Sequence, residues 1–186
     1  KKIQTNSYKD VIHTVKENSN LIDDIRESIF YKINLNIKKN NLRIINIYNT
    51  GQKLSHRLYN ISLGKKFTNG FIRNGHDVLE ISDRDFVKQS RGLSLTSNIS
   101  KFQDYIINTF KNYSPDLVFF GHTNNLEKKT LLDFKEINNS VVLSHWNEDP
   151  IMPGLEYSKK NINNISRYSK LVDHNFITTH PNVLKK

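Results

Sequence analysis

Two short segments constrain the fold of this chain more than any others: Ser114–Asn125, SPDLVFFGHTNN, and Val141–Pro150, VVLSHWNEDP. In each, a short apolar run breaks off into a polar, His-bearing loop. The first run, Leu117–Phe120, opens after Pro115 and closes at Gly121. Runs that short between turn formers read as strands buried on both faces, the habit of a parallel sheet covered by helices. Ligands of such sheets bind in the loops beyond the carboxyl ends of the strands. The two segments therefore predict that His122 and His145 arrive at the same sheet edge.

The rest of the chain supplies the other layers. Leu42–Tyr48, LRIINIY, predicts a first strand that ends in the turn Asn49-Thr50-Gly51. Leu54, Leu58, Ile61 and Phe71 mark a helix, with Ser62 and Gly64 small enough for close approach to the sheet. Asn74-Gly75 stops it, glycine suiting the left-handed conformation at a helix end. Asp77–Ser82 is the second strand, and Asp83–Ser97 reads as a polar, irregular loop. Ile99, Phe102, Ile106 and Phe110 give the next helix, and Leu126–Ile137 a shorter one. Val141–Trp146 is a fourth strand, Pro150–Gly154 a loop, Leu155–Leu171 a helix with Ile162 and Ile165 on one side, and His174–Thr179 a fifth strand. This alternation predicts an α/β, Rossmann-like parallel sheet of about five strands flanked by helices over residues 41–186, most simply in the order 2-1-3-4-5. Ahead of it, Ile12, Val15, Ile22, Ile25, Ile29, Ile33 and Ile37 recur at helical spacing. Residues 1–40 are thus expected to be a helical extension, packed on the domain or serving self-association or a partner.

Composition narrows the function classes. The 186 residues suffice for one domain with a real core. Zero cysteines exclude disulfides, thiolate zinc sites and cysteine nucleophiles. With no apolar stretch of membrane-spanning length and no secretory h-region, the chain fits a cytoplasmic protein. Lys and Arg number 28 against 18 Asp and Glu, a net charge of +10. That excess is dispersed, travels with abundant Asn and Ile, and is three Lys to each Arg, whereas specific nucleic-acid readers lean on Arg. No nucleic-acid partner is expected; a phosphate-rich ligand or peripheral contact with an anionic membrane stays open. A start without Met and an end at Lys185-Lys186, just after a strand-and-loop signal, suggest part of a longer polypeptide.

The loops after strands one, three, four and five should share one edge. Histidine titrates near neutral pH and is the usual general base; His122, His145 and His180 fall at strand ends, with His56 at the first helix start. His122, His145 and Asp149 are the catalytic candidates. Trp146, the sole tryptophan, offers an aromatic plane beside Asn147, Glu148 and Asp149, the combination that binds a sugar by its ring face and its hydroxyls. The competing reading is a buried Trp closing the sheet, with two acids in a turn. Gly51, Lys53 and Arg57, where the first loop enters a helix, would present N–H groups and charge to a diphosphate. Asn124 and His180 complete the substrate-binding set. The first loop lacks the three-glycine dinucleotide fingerprint and the Gly-Lys-Ser/Thr ending of a phosphate loop, and there is no Gly-x-Ser-x-Gly elbow. No spacing demands a metal, and neither metal nor cofactor is expected.

Taken together, LRIINIYNTGQ, LYNISLGKKFTNGFIRNGHDVLEISDRD, SPDLVFFGHTNN, VVLSHWNEDP and DHNFITT resemble the amino-terminal half of GT-B glycosyltransferases. The spore-maturation-type branch is the nearest in pattern, with Gly75-His76-Asp77-Val78 and Trp146…Asp149-Pro150 the most specific motifs. The resemblance covers about residues 42–180 and leaves out residues 1–40. It implies one of two Rossmann-like domains facing a cleft, this one recognising the acceptor (a sugar, lipid or protein) and the absent one holding the nucleotide-sugar. It implies hexosyl transfer to an acceptor hydroxyl by the complete enzyme, and no activity in this portion alone. The alternatives are a non-catalytic Rossmann or flavodoxin-like binding module and a catalytically dead half that assembles through residues 1–40. A phosphoacceptor receiver would want acids where Asn49 and Gly121 stand.

Overall fold

The computed structural model of the chain describes residues 41–51, 61–90, 94–152 and 154–179. The expected extension over residues 1–40, and Leu54 and Leu58 of the first expected helix, lie outside them. Within the described residues, β-branched and aromatic runs form five strands: β1 (Arg43–Ile47), β2 (Asp77–Ile81), β3 (Leu117–Gly121), β4 (Val142–Asn147) and β5 (His174–Ile177). All pair in parallel in the order β2-β1-β3-β4-β5, as the strand–helix alternation predicts. β3 and β4 are buried along their whole length, and the edge strands β2 and β5 are only partly so. That gradient is what helices on both faces impose on a parallel sheet.

Strand alternation sends successive side chains to opposite faces. On one face Ile45, Ile47, Val118, Phe120 and Leu143 form the main core with Phe102, Ile106 and Phe110 of α3 (Leu95–Tyr113) and Leu131 and Phe134 of α4 (Lys128–Ile137). Tyr168, the last residue of α5 (Glu156–Tyr168), joins them. The other face is covered by α1 (Leu63–Arg73), whose Phe67 and Phe71 meet Phe119 edge-on at 5.0 and 5.3 Å. A Cβ on Gly64 would stand 2.2 Å from the Tyr48 ring, so only glycine lets α1 lie this close. Asn46, buried on the same face, donates to Gly64 O (3.0 Å) and Thr68 Oγ1 (2.8 Å), tying helix to strand.

Three sequence expectations need correction. Ile61 is not on the buried stripe of α1: Ser62 caps that helix by accepting from Lys65 N, and Ile61 stays exposed ahead of it. Ile162 of α5 is likewise exposed, while Ile165 is buried. Most consequentially, the stretch expected as an irregular loop, Asp83–Ser97, holds one helix and the start of another. Ser82 Oγ accepts from Asp85 N at 3.3 Å and starts α2 (Asp83–Gln89). Two aspartates in its first turn complement the helix dipole, and Val87 is buried. α3 then begins already at Leu95, capped by Ser94.

Candidate functional site

β3 meets β4 with Gly121 opposite Trp146, and a Cβ on Gly121 would stand 2.3 Å from the indole and 2.6 Å from the Trp146 carbonyl oxygen. The strands can therefore close tightly here only around glycine. The next residue, His122, has φ of +51°, a left-handed conformation that costs a non-glycine residue about 1 kcal/mol. Such backbone persists where its surroundings dictate it, and functional edges are where it concentrates. The His122 ring lies 5.2 Å from that of Trp146, and its Nε2 is 3.0 Å from Glu148 Oε1. That carboxylate stands at ion-pair distance but off the hydrogen-bonding direction of the ring, so the two attract as charges only when the ring is protonated.

The loop that follows His122 is clamped from three sides. Asp83, fully buried at the start of α2, accepts at Oδ2 from Asn124 N (2.9 Å), Asn125 N (3.1 Å) and Asn125 Nδ2 (3.1 Å). Gln103 of α3 donates to Asn125 O at 2.6 Å and accepts from Thr130 Oγ1 at 2.7 Å. The Tyr168 hydroxyl donates to Leu126 O at 2.9 Å. Burial raises the Asp83 pKa, against the lowering effect of the loop N–H groups and Arg84.

On β4, Trp146 points to the α1 face and His145 and Asn147 to the opposite one. His145 is 4% exposed, and its Nδ1 lies 2.8 Å from Asn175 Oδ1 on β5. Burial lowers its pKa, the Asn175 contact opposes this and nearby His122 adds to it, so the ring is neutral at pH 7. An amide oxygen only accepts, which places the proton on Nδ1 and leaves the Nε2 lone pair for chemistry.

Beside these residues a cavity of about 350 Å³ opens at the carboxyl edge of β3 and β4. Its strand-side wall is His122, Thr123, Asn124, His145, Asn147 and Asp149; Arg84 of α2 and Tyr157, Lys160, Asn161, Asn164 and Tyr168 of α5 close the rest. Five predicted site residues thus come together: His122, Asn124, His145, Asn147 and Asp149. Glu148 stands behind them against His122. Trp146 does not line the cavity; at 3% exposure its ring packs against Phe67 at 5.2 Å and beside Phe119. Gly51 is buried past the end of β1 at φ +65°, away from the cavity lining. Lys53, Arg57 and His180, with His56, lie outside the described residues.

Two parts of the cavity escaped sequence reasoning. Arg84 was hidden by reading α2 as loop, although the Ser82-x-x-Asp85 spacing is a helix-start signal. The α5 wall carries a polar signal and not an apolar one. Tyr157, Lys160/Asn161, Asn164 and Tyr168 recur at helical spacing, a polar stripe as regular as an apolar one. The lining as a whole is amide, imidazole, hydroxyl and charge, suited to a ligand dense in hydroxyls or anionic oxygens. Among the described residues no three His, Asp or Glu side chains are grouped to hold a metal ion, and no helix is long and apolar enough to cross a membrane.

No family model matches the chain, and no curated protein matches it by sequence. A solved structure, an alpha-glucosyltransferase in complex with UDP and a 13-mer DNA containing a HMU base, aligns with 75% of the chain at 14% identity and a TM-score of 0.43. The chain spans 38% of that protein's length. The likeness is too distant to carry a residue or an activity across.

Proposed function

We propose that residues 41–186 are the acceptor-side domain of a GT-B-type glycosyltransferase of the spore-maturation-type branch, binding a hydroxyl-bearing acceptor in the cavity between β3, β4 and α5. The observation that carries this reading is a neutral, buried His145 in the wall of a cavity lined for the rest by amide, hydroxyl, imidazole and charged side chains. The motif resemblance over residues 42–180 supports it. In the complete reaction His145 Nε2 takes the proton of the acceptor hydroxyl as its oxygen attacks the anomeric carbon of a nucleotide-sugar. The bond from that carbon to the diphosphate breaks, and the diphosphate leaves with the electron pair. Residues other than those described hold the donor. Asp149, at the same wall, orients acceptor hydroxyls, and the amides of Asn124, Asn147 and Asn161 supply paired donors and acceptors.

The test is acceptor binding read independently of transfer. Simple saccharides titrated into the ¹⁵N-labelled chain should move the side-chain amide resonances of Asn124, Asn147 and Asn161, and His145→Asn should weaken that response. Saccharides that leave these amides unmoved at tens of millimolar, while moving resonances elsewhere or none, would overturn the reading.

A further inference from the structure

The charges around the cavity are not balanced. Arg84 reaches it from the first turn of α2 and Lys160 from α5, and among the described residues Asp149 is the one carboxylate in its lining. The neighbouring Glu148 is turned to His122. Asp83, beside Arg84 in sequence, is buried and has its Oδ2 occupied by loop N–H donors. Among the described residues neither Arg84 nor Lys160 is held in a salt bridge. Two unpaired cations in one concave site focus potential and raise the local concentration of anions.

The cavity is also more than an anion cup. Asn161, 8% exposed, and Asn164 sit one turn apart on the α5 wall with Lys160, and a single anion could not satisfy so many fixed amides. Tyr157 is 47% exposed at the same wall, its hydroxyl making only a 3.9 Å contact with Met152 Sδ. With Trp146 buried and Tyr168 at 1% exposure, Tyr157 is the aromatic surface that this cavity presents. An aromatic side chain apolar on its face and polar at its tip suits a sugar ring.

We infer that the acceptor is a sugar bearing an anionic group, a phosphate or a carboxylate, with its ring against Tyr157 and its charge read by Arg84 and Lys160. This rests on the cavity being the acceptor site. Charge-assisted hydrogen bonds from a guanidinium and an ammonium then set which acceptor is chosen. Tyr157 takes the stacking role that the sequence suggested for Trp146.

The experiment titrates glucose, glucose 6-phosphate, glucuronate and inorganic phosphate separately into the 186-residue chain and its Arg84→Gln, Lys160→Gln and Tyr157→Ala variants, read by NMR shift changes. At least one anionic sugar should bind about tenfold more tightly than glucose, and each cation variant should remove most of that advantage. Tyr157→Ala should weaken glucose and the anionic sugars alike, its unchanged amide spectrum confirming the fold. The arm in which the advantage appears separates phosphate from carboxylate. Glucose binding as tightly as both anionic sugars overturns the inference and leaves the acceptor reading standing. Inorganic phosphate binding as tightly as glucose 6-phosphate, or Tyr157→Ala without effect, also overturns it, because the ring then contributes nothing. Absence of binding by every sugar overturns both.

Discussion

Replacing Asp83 separates what its oxygen atoms do from what its charge does. Oδ2 accepts three hydrogen bonds from the loop that carries His122, Thr123 and Asn124 to the cavity, whereas Oδ1 is buried without a partner. Hydrogen bonds to a charged acceptor contribute about 1.5–3 kcal/mol each. Removing a buried carboxylate recovers several kcal/mol of desolvation, and water can reach the exposed Asn124. Asp83→Ala should therefore lose about 2–3 kcal/mol. Asp83→Asn keeps an acceptor oxygen for the loop and drops the desolvated charge, so it should lose no more than about 1 kcal/mol. Urea denaturation followed by tryptophan fluorescence measures both, Trp146 being the single reporter. The pH dependence follows from linkage. With the folded pKa raised above 3.8, the native state holds the proton in the window between the two values, so wild-type stability falls as pH rises through that window. Asp83→Asn lacks that slope and should gain on wild type from about pH 4 upward. Equal losses for the Asn and Ala variants, or a gap that narrows on acidification in favour of wild type at high pH, would refute this account.

Gly121→Ala would drive a methyl into the indole and the carbonyl of Trp146, and the backbone oxygen cannot swing aside; a loss of about 2–3 kcal/mol in chemical denaturation is expected. A cost under about 0.5 kcal/mol would show that β3 and β4 do not close as described. Trp146→Phe, which removes the fluorescent reporter and is followed by circular dichroism instead, should cost about 1–3 kcal/mol and leave saccharide binding nearly unchanged, since the ring is core and not cavity wall. Lost binding with little loss of stability would restore the stacking role to Trp146. His145, whose folded pKa is lowered from 6.5, contributes stability that is full above the unfolded pKa and is lost as pH falls through the folded one. His145→Asn should flatten that acid limb, and an unchanged limb would place the titration on another group.

The architecture was legible because its signals are local. β1, β3 and β4 grow from short, largely apolar runs closed by turn residues, and Asn74-Gly75 ends α1 where expected, with Gly75 at φ +81°. Parallel pairing and right-handed crossovers then leave few strand orders. The strand-side wall of the cavity was legible for the same reason: strand ends are easy to find, and a parallel sheet delivers them to one edge. Side-chain direction was harder. Trp146 and His145 are adjacent in sequence, and only the strand pleat decides that one faces α1 and the other the cavity. The contribution of α2 was hidden because seven residues beginning Asp-Arg-Asp carry little apolar periodicity, and only the Ser82-x-x-Asp85 start signal announces the helix.

That short helix explains where the cavity lies. In an order of β2-β1-β3-β4-β5 the crossovers change direction between β1 and β3, and a crevice there is the usual place for a ligand. Here the first turn of α2 spans that point. Asp83 holds the loop after β3, and two residues later Asp85 accepts from the Thr50 hydroxyl of the loop after β1, while Ser82 Oγ accepts from Thr50 N at 3.2 Å. Both loops are stapled to one helix end by buried carboxylates, so among the described residues the open volume moves one strand along, to β3, β4 and α5. Arg84, lying between the two aspartates in sequence, is carried to the cavity by the same turn. The carboxylates that hold the loops together are therefore also what fixes a cation at the site, and loosening either one should show in ligand binding as well as in stability.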